Sequence, residues 1–545
     1  MTTDHADATA ADPAAPAAGD EDAPAVSLDR RKVLVIFGAL VAAMFLSSLD
    51  QSVVSTALPT IVGDLGAVDH EGWIVTAYLL TIAIAMPIYG KVGDMYGRRW
   101  PFMLAIAIFV VGSTGSALSG SFTELVIWRA LQGLGAGGLM ITSQAIIADI
   151  VSARERGKFM GPLGAIFGIA AVAGPLLGGW FTEGPGWRWV FWLNVPIGLL
   201  ALGVAWFALD LPSRRSGRPF DIWGTILLAV STSGVVLMTS WASIVPSGRY
   251  DWGSPWLLGL LAATLVAFGL FLWVETKVAE PVVPLHLFRD RVFSTSVAIA
   301  FTLGVTMFAA LSFLPTFLQM ARGLSPTSSG LHMLPMTIGL MITAIGSGFL
   351  ITKTGKYRIY PILGMGITTA GIVWLTRITG DISMVVFGGM IFVLGFGLGL
   401  VMQTIVIAVQ NAVAATEVGT ATSTNNFLRE IGAAIGTSLF GALFTSRLAS
   451  ELAPIFDAVP AGGLPRGVDG ANLSPETIKE LPAEVQSEVI NAYAQAMAPT
   501  FWFLVPVAAL GFVLTLFLRN RRLSTTAGLV ARGEVEATDQ PARTS

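Results

Sequence analysis

The residues of this chain that can do chemistry are charged side chains set inside long apolar runs. Asp50 lies in the run 33–58, Arg129 in 122–147, and the neighbours Arg429 and Glu430 in 423–446. A carboxylate in such a run is expensive and normally functional. Its chemistry is to take up and return a proton: burial favours the neutral form, a nearby guanidinium the charged one. Counted from Val33, Asp50 lies about 25 Å along a helix, and Arg129 lies roughly 10 Å in from Phe122, at a comparable depth from the same face. The other place open to Asp50 is a wet helix end. Successive helical side chains point about 100° apart, so only one of Arg429 and Glu430 has to face inward. Glu430 is then either a second protonatable site or half of a structural ion pair.

Other chemistries find no residues. His5, His70, His286 and His332 are scattered too widely for a His-rich metal site, and the absence of Cys excludes thiolate zinc, disulfides and a cysteine nucleophile. The Gly-Lys pairs at Gly90, Gly157 and Gly355 are followed by Val, Phe and Tyr, so no phosphate-binding loop exists and ATP is not spent through one. Neither H-E-x-x-H nor G-x-S-x-G occurs, which leaves hydrolase readings without support. No metal or cofactor is expected.

The elements that position these charges are membrane helices. Of 545 residues 54% are hydrophobic and 12% charged, about half the charged share of a soluble protein. A net charge of −3 argues against a basic nucleic-acid-binding face. A bilayer core of about 30 Å takes about 20 apolar helical residues. Fourteen such runs occur, near 33–58, 73–90, 101–119, 122–147, 157–181, 192–209, 222–240, 256–274, 292–317, 331–351, 359–376, 382–408, 423–446 and 499–518. The barrel signature of alternating strands is missing, so the fold is an all-α membrane protein with the bilayer as its partner.

Lys and Arg cluster in every second loop, 24 on one side against seven on the other, which places both termini in the cytoplasm. Residues 1–29 are Ala-rich and acidic, without a basic signal region, and read as a disordered tail; 523–545 read as a second polar tail. The exported loop 449–498 is unusually long. Ser474-Pro475 resembles a helix start, and Ile478, Leu481, Val485, Val489 and Tyr493 recur at helical spacing. A small helical hairpin or cap is expected there, packing on the protein or docking an exported partner.

The basic linkers divide the chain into a six-span half at 30–209, two linker helices at 210–291, and a second six-span half at 292–522. A weak repeat supports the division: Gly90-Lys91-Val92-Gly93-Asp94-Met95-Tyr96-Gly97-Arg98 matches Gly348-Phe349-Leu350-Ile351-Thr352-Lys353-Thr354-Gly355-Lys356. Paired six-helix halves are the architecture of alternating-access transporters, with the substrate between them.

Several motifs then fall in order. They are Leu49-Asp50-Gln51 through Pro59, Gly90 to Arg99, Arg129-Ala130-Leu131-Gln132-Gly133 through Gly138, and Gly174-Pro175-Leu176-Leu177-Gly178-Gly179. Lesser matches are Trp187 through Pro196, Leu314 through Gln319 with Gly323 through Pro326, and Arg429 through Gly436. Over 30–520 the chain resembles the major facilitator superfamily, in its fourteen-helix drug:proton antiporter branch. The resemblance implies two six-helix bundles with two inserted helices, in a bacterial plasma (inner) membrane. It implies a conformational gate at Gly90, Asp94, Gly97 and Arg98, with Asp94 accepting from a helix N-terminus or pairing with Arg98. It further implies an exporter's helix-five motif at Gly174, Pro175, Gly178 and Gly179, whose glycines would allow tight contact with the opposite half. That motif departs in one place, Ala170, where the family pattern has Gly. Because the superfamily's first and fourth helices line the cavity, an Asp50–Arg129 pair is expected, with Asp50 in the cavity as the coupling site.

The function so implied is export of hydrophobic or cationic small molecules in exchange for protons, with the proton gradient as energy source. The alternatives are a dedicated exporter of one endogenous lipid, antibiotic or siderophore, and a transport-dead receptor, which would be expected to have damaged coupling residues.

Overall fold

The computed structural model describes residues 30–66, 72–211, 218–241, 253–458 and 481–532. Among them thirteen helices are long and apolar enough to cross a bilayer, and a fourteenth apolar helix is shorter. They are α1 (Arg30–Asp64), α2 (Gly72–Tyr96), α3 (Arg99–Leu118), α4 (Phe122–Ile150), α5 (Arg156–Glu183), α6 (Trp189–Ala208) and α7 (Ile222–Thr239). There follow α8 (Pro255–Glu275), α9 (Arg291–Arg322), α10 (Thr327–Thr354), the shorter α11 (Ile359–Leu375), α12 (Met384–Ala412), α13 (Val418–Ala458) and α14 (Val485–Phe517). The chain is a multi-pass membrane protein.

Local chemistry sets the ends of these helices. Ser121 accepts from Glu124 N to start α4, Ser254 accepts from Leu257 N ahead of Pro255, and Asp290 accepts from Val292 N and Phe293 N to start α9. Gly323 ends α9 at φ 62°, and Ser325-Pro326 restarts the chain toward α10. The Trp187-Arg188 motif is structural: Trp187 Nε1 and Arg188 both donate to Asp64, tying the end of α1 to the start of α6.

Packing repeats itself. In the first half α1 lies against α4, α5 and α6, α2 against α4, and α3 against α4 and α6. In the second half α9 lies against α12, α13 and α14, α10 against α12, and α11 against α12 and α14, which is the same pattern eight helices later. Two seams join the halves, α2 with α13 and α5 with α10, and they are equivalents of one another. The inserted pair α7 and α8 pack on each other, and α7 packs against α2 and α13. Burial follows: 94% of the most apolar stretch of α4 is buried, against 22% in α8 at the periphery. The outer faces are apolar, with Phe207, Val385 and Trp256 among the most exposed side chains, as a lipid-facing surface requires.

Helix, as expected, occupies the described parts of the loop 449–498: α13 runs on to Ala458, and a helix resumes at Ala483–Thr500, burying Val489 and Tyr493. Ser474, Pro475 and Ile478, and any docking role for this stretch, lie outside the described residues. The tail expected over 523–545 is not simply polar, because residues 523–532 dock. Ala527 bridges to Ser152, Arg154 N donates to Ser524 O at 3.1 Å, and Leu523 and Ala527 are buried. Their apolar side chains and free backbone groups find partners at the end of α4. The 1–29 tail lies outside the described residues.

Candidate functional site

Between the halves lies a cavity of about 630 Å³. Its wall takes Met44, Ser48, Gln51 and Pro59 from α1, Met140 from α4, Phe167 from α5, Met307 and Gln319 from α9, and Met336 from α10. Pro59 and Gln319 stand near the ends of α1 and α9 farthest from the basic loops, so the cavity reaches toward that face. Glu430 is the one charged side chain among the described residues that line it, and Arg429 Nη2 holds its Oε1 at 3.1 Å. Arg429 itself is 2% exposed.

The structure brings Asp50 and Arg129 together and sets them behind the wall. Arg129 Nη1 donates to Asp50 Oδ2 at 2.5 Å, and both residues are 1% exposed. Asp50 Oδ1 also accepts from Gln132 Nε2 at 2.9 Å and Asn194 Nδ2 at 2.8 Å. The guanidinium lies 3.9 Å from the centre of the Tyr78 ring, whose hydroxyl donates to Ser47 O. Asn194 is fixed in turn by donating to Ser113 Oγ. The site is thus assembled from α1, α2, α3, α4 and α6. This corrects the expected placement of Asp50 in the cavity. Its neighbours Ser48 and Gln51 line the wall while Asp50 points into the first half, because a carboxylate is stabilised far more by a guanidinium and two amides than by an apolar cavity. Sequence reasoning missed Gln132 and Asn194 as partners, although both stood inside quoted motifs.

At the basic end the halves are sealed. Asp94 pairs with Arg98 and also accepts from the first turn of α13: Gly419 N at 3.0 Å, Thr420 N at 2.6 Å and Thr420 Oγ1 at 2.7 Å. A carboxylate there meets free N–H groups and the positive end of the helix dipole. Arg98, 3% exposed, continues to Asp149 Oδ2 at 3.3 Å and Gly90 O at 3.4 Å. Arg532 Nη1 reaches Asp149 Oδ1 and Ala415 O, both at 2.9 Å. A Cβ on Gly90 would meet the Ser423 side chain and, at 2.7 Å, the Gly419 carbonyl, so glycine is what lets α2 lie on α13. Gly97 turns the chain at φ 88° and its repeat counterpart Gly355 at φ 68°, conformations that side chains resist.

The glycines of the helix-five motif do something other than expected. Gly174 and Gly178 press on Ser52, Val53 and Thr56 of α1, within the same half. Only Pro175, against Gly330, and Gly179, near Thr327, look across. The close contact with the opposite half is made lower on α5, where Gly157 meets Gly348 and Gly161 meets Ala344 O. Gly157 and Gly174 are 17 residues apart, which at about 100° per residue puts them on different faces of the helix.

The inserted helices also reach the gate. Glu280, just after α8, accepts from Lys91 at 2.6 Å and Arg218 at 3.3 Å, and His286 lies 3.0 Å from Glu417 at the foot of α13. Partial burial raises the Glu280 carboxyl, but the hydrogen bond and charge of Lys91, with the charge of Arg218, outweigh it and hold the group below its ordinary range. Among the described residues no cluster of His, Asp and Glu has the makings of a metal site.

A family model described as Major Facilitator Superfamily matches residues 40–437. An uncharacterised MFS-type transporter of Mycobacterium tuberculosis, Rv1877, is 38% identical over 508 residues, covering 93% of this chain and 72% of that protein. The multidrug transporter protein MdtP of Bacillus subtilis is 36% identical over 518 residues, covering 91% and 94% respectively. Among solved structures the human organic anion transporter MFSD10 aligns with a TM-score of 0.59 at 14% identity, over 88% of this chain and 99% of that one, which speaks for the fold alone. With the matched segment spanning most of the sequence and both halves of the fold, the chain belongs to the Major Facilitator Superfamily of membrane transporters.

Proposed function

We propose that the chain exports lipophilic or cationic small molecules in exchange for protons by alternating access, with its basic end and both termini in the cytoplasm. The observation that carries this reading is the central cavity with Glu430 on its wall and the Asp50–Arg129 pair directly behind it. Six methionines line the cavity, an adaptable apolar surface that suits cargo of varied shape. A cation gains a direct Coulomb attraction to Glu430 by competing with Arg429, whereas a neutral lipophile relies on apolar contact. The multidrug transporter among the relatives points the same way.

Protonation of Asp50 removes the counter-ion of a buried guanidinium. Arg129 must then re-pair or move, and α1 carries Ser48 and Gln51 of the cavity wall with it. Proton and cargo are thereby coupled through α1 without sharing a carboxylate. The proton gradient supplies the energy, and no cofactor takes part. The Asp94–α13 cluster is the gate that holds the basic end shut.

Proteoliposomes test the proposal. An imposed pH gradient should drive accumulation of a lipophilic cation such as tetraphenylphosphonium, and Asp50→Asn should abolish the driven flux while leaving downhill exchange. Full gradient-driven flux in that variant would overturn Asp50 as coupling site and pass the role to Glu430, tested by Glu430→Gln.

A further inference from the structure

Between the cavity floor and the gate lies a layer of four buried amides that neither explains. Gln144 on α4, Gln403 and Gln410 on α12, and Asn426 on α13 are each 2% exposed or less. Counted from the helix ends at the basic face, they stand about 3 to 14 Å inside it. They meet across the seam of the two halves. Asn426 Nδ2 donates to Gln144 Oε1 at 2.9 Å, and Gln410 Nε2 reaches Gln144 O at 3.3 Å. Gln403 lies against Gly164 of α5, where a Cβ would meet its Cγ at 2.7 Å.

The layer is poorly satisfied. Five of its polar atoms have no hydrogen-bond partner among the described residues: Gln144 Nε2, both Gln403 Nε2 and Oε1, Gln410 Oε1 and Asn426 Oδ1. Gln403 makes no side-chain hydrogen bond through either atom although it is 2% exposed. A buried amide without partners is costly, and a leucine or methionine would fill the same space without that cost. Packing alone therefore gives no reason for glutamine at 403. Nor is a latch a sufficient account: two of the amides' four hydrogen bonds cross the seam, the other two go to Thr422 in the same half, and Gln403 contributes none. The arrangement fits a surface that is used in the other conformation, in which the basic end is open and the amides face the passage.

We infer that this amide layer is a second binding site, exposed when the halves part at the basic end, which takes uncharged hydrogen-bonding groups of the cargo such as amides, hydroxyls and carbonyls. The inference rests on the alternating-access reading above and adds to it a chemical class of cargo group. Cargo entering from the basic end would place its polar groups on Gln144, Gln403, Gln410 and Asn426 and its apolar body against the methionines beyond. Closure would strip the amides of partners and help push the cargo on toward the cavity. The same unsatisfied atoms bias the empty protein toward opening at the basic end.

The chain has no cysteine, so spin labels can be placed without background. Labels at Lys158→Cys on α5 and Lys353→Cys on α10 report the separation of the halves at the basic end. In the full-length protein without cargo, Gln403→Leu should raise the ratio of short-distance to long-distance population about tenfold, and Gln403→Met, closer in length, should do the same. Unchanged distances in both variants would overturn the inference. Binding supplies a second readout with two probes. Chloramphenicol, uncharged and rich in hydrogen-bonding groups, should lose at least tenfold in affinity in Gln403→Leu. Tetraphenylphosphonium has no hydrogen-bonding group and should bind as before, apart from the loss expected from the population shift the labels measure. Equal loss of both beyond that shift would mean a merely structural role and would overturn the binding site. If the wild type binds neither probe, the multidrug reading fails together with the cargo class assigned here. The label distances still decide, without any cargo, whether the layer favours opening.

Discussion

Asp50 accepts from three side chains on α4 and α6, and Arg129 has a ring beneath it and a second acceptor in Gln132. Removing one charge from so buried a pair leaves the other uncompensated, at about 3–5 kcal/mol, whereas removing both is far milder. Arg129→Met should accordingly lower stability in detergent by about that amount, and adding Asp50→Leu should restore most of it. Unfolding curves for the two variants check this, and a single variant as stable as the wild type would contradict it. Arg129→Lys is not a conservative change, because an ammonium lacks the planar face that the guanidinium lays on the Tyr78 ring. Glu280 offers a pH test outside the membrane helices. Its pKa is depressed in the folded protein, so its clasp on Lys91 and Arg218 is fully present above the ordinary carboxylate value and is lost as the pH falls through the depressed one. Amide exchange over 278–283, corrected for intrinsic rate, should be flat above about pH 5 in the wild type. In Glu280→Gln it should be faster, roughly up to fivefold, over that range, and the difference should close as the pH falls through the depressed value.

At the scale of elements, the glycines of the two seams set how closely the halves can close. Gly90→Ala places a methyl against the Ser423 side chain and the Gly419 carbonyl, and that backbone atom cannot rotate away. The variant is expected to hold the basic end apart, seen as a longer distance between labels on α5 and α10; an unchanged distance would show that the seam can yield. The fourteen spans and the repeated halves were legible from the sequence because hydrophobic runs and basic loops are one-dimensional signals. Asp50 and Arg129 were legible for the same reason, as charges where charge is costly. The direction of Asp50 was not, since its neighbours Leu49 and Gln51 are also on a membrane helix and only the packing of α4 and α6 decides which face turns inward. Gly174 was misplaced for a similar cause: small residues mark a close approach without naming the partner helix. Nor could Gln403 be noticed, because one polar residue in an apolar run carries no sign of being unpartnered.

For the molecule as a whole, the docked residues 523–532 matter because they touch both halves. Arg532 holds Asp149 on one side and the Ala415 carbonyl on the other, and Ser524 lies between Arg154 and Asn411. Arg532→Ala should loosen the sealed end and raise its open population several-fold by the same label distances; no change would mean the segment merely rests there. The two seams of the repeat, finally, are equal in position and unlike in chemistry. One is charged, with Asp94 on the N-terminus of α13, while at the matching place in the other Thr352 stands where Asp94 does and Gly157 lies flat on Gly348. The first is held by directed, charge-assisted hydrogen bonds and the second by close backbone contact. The sealed end is therefore held unevenly, by a clasp that a single lost charge unfastens and by a flat face that no lost charge can loosen.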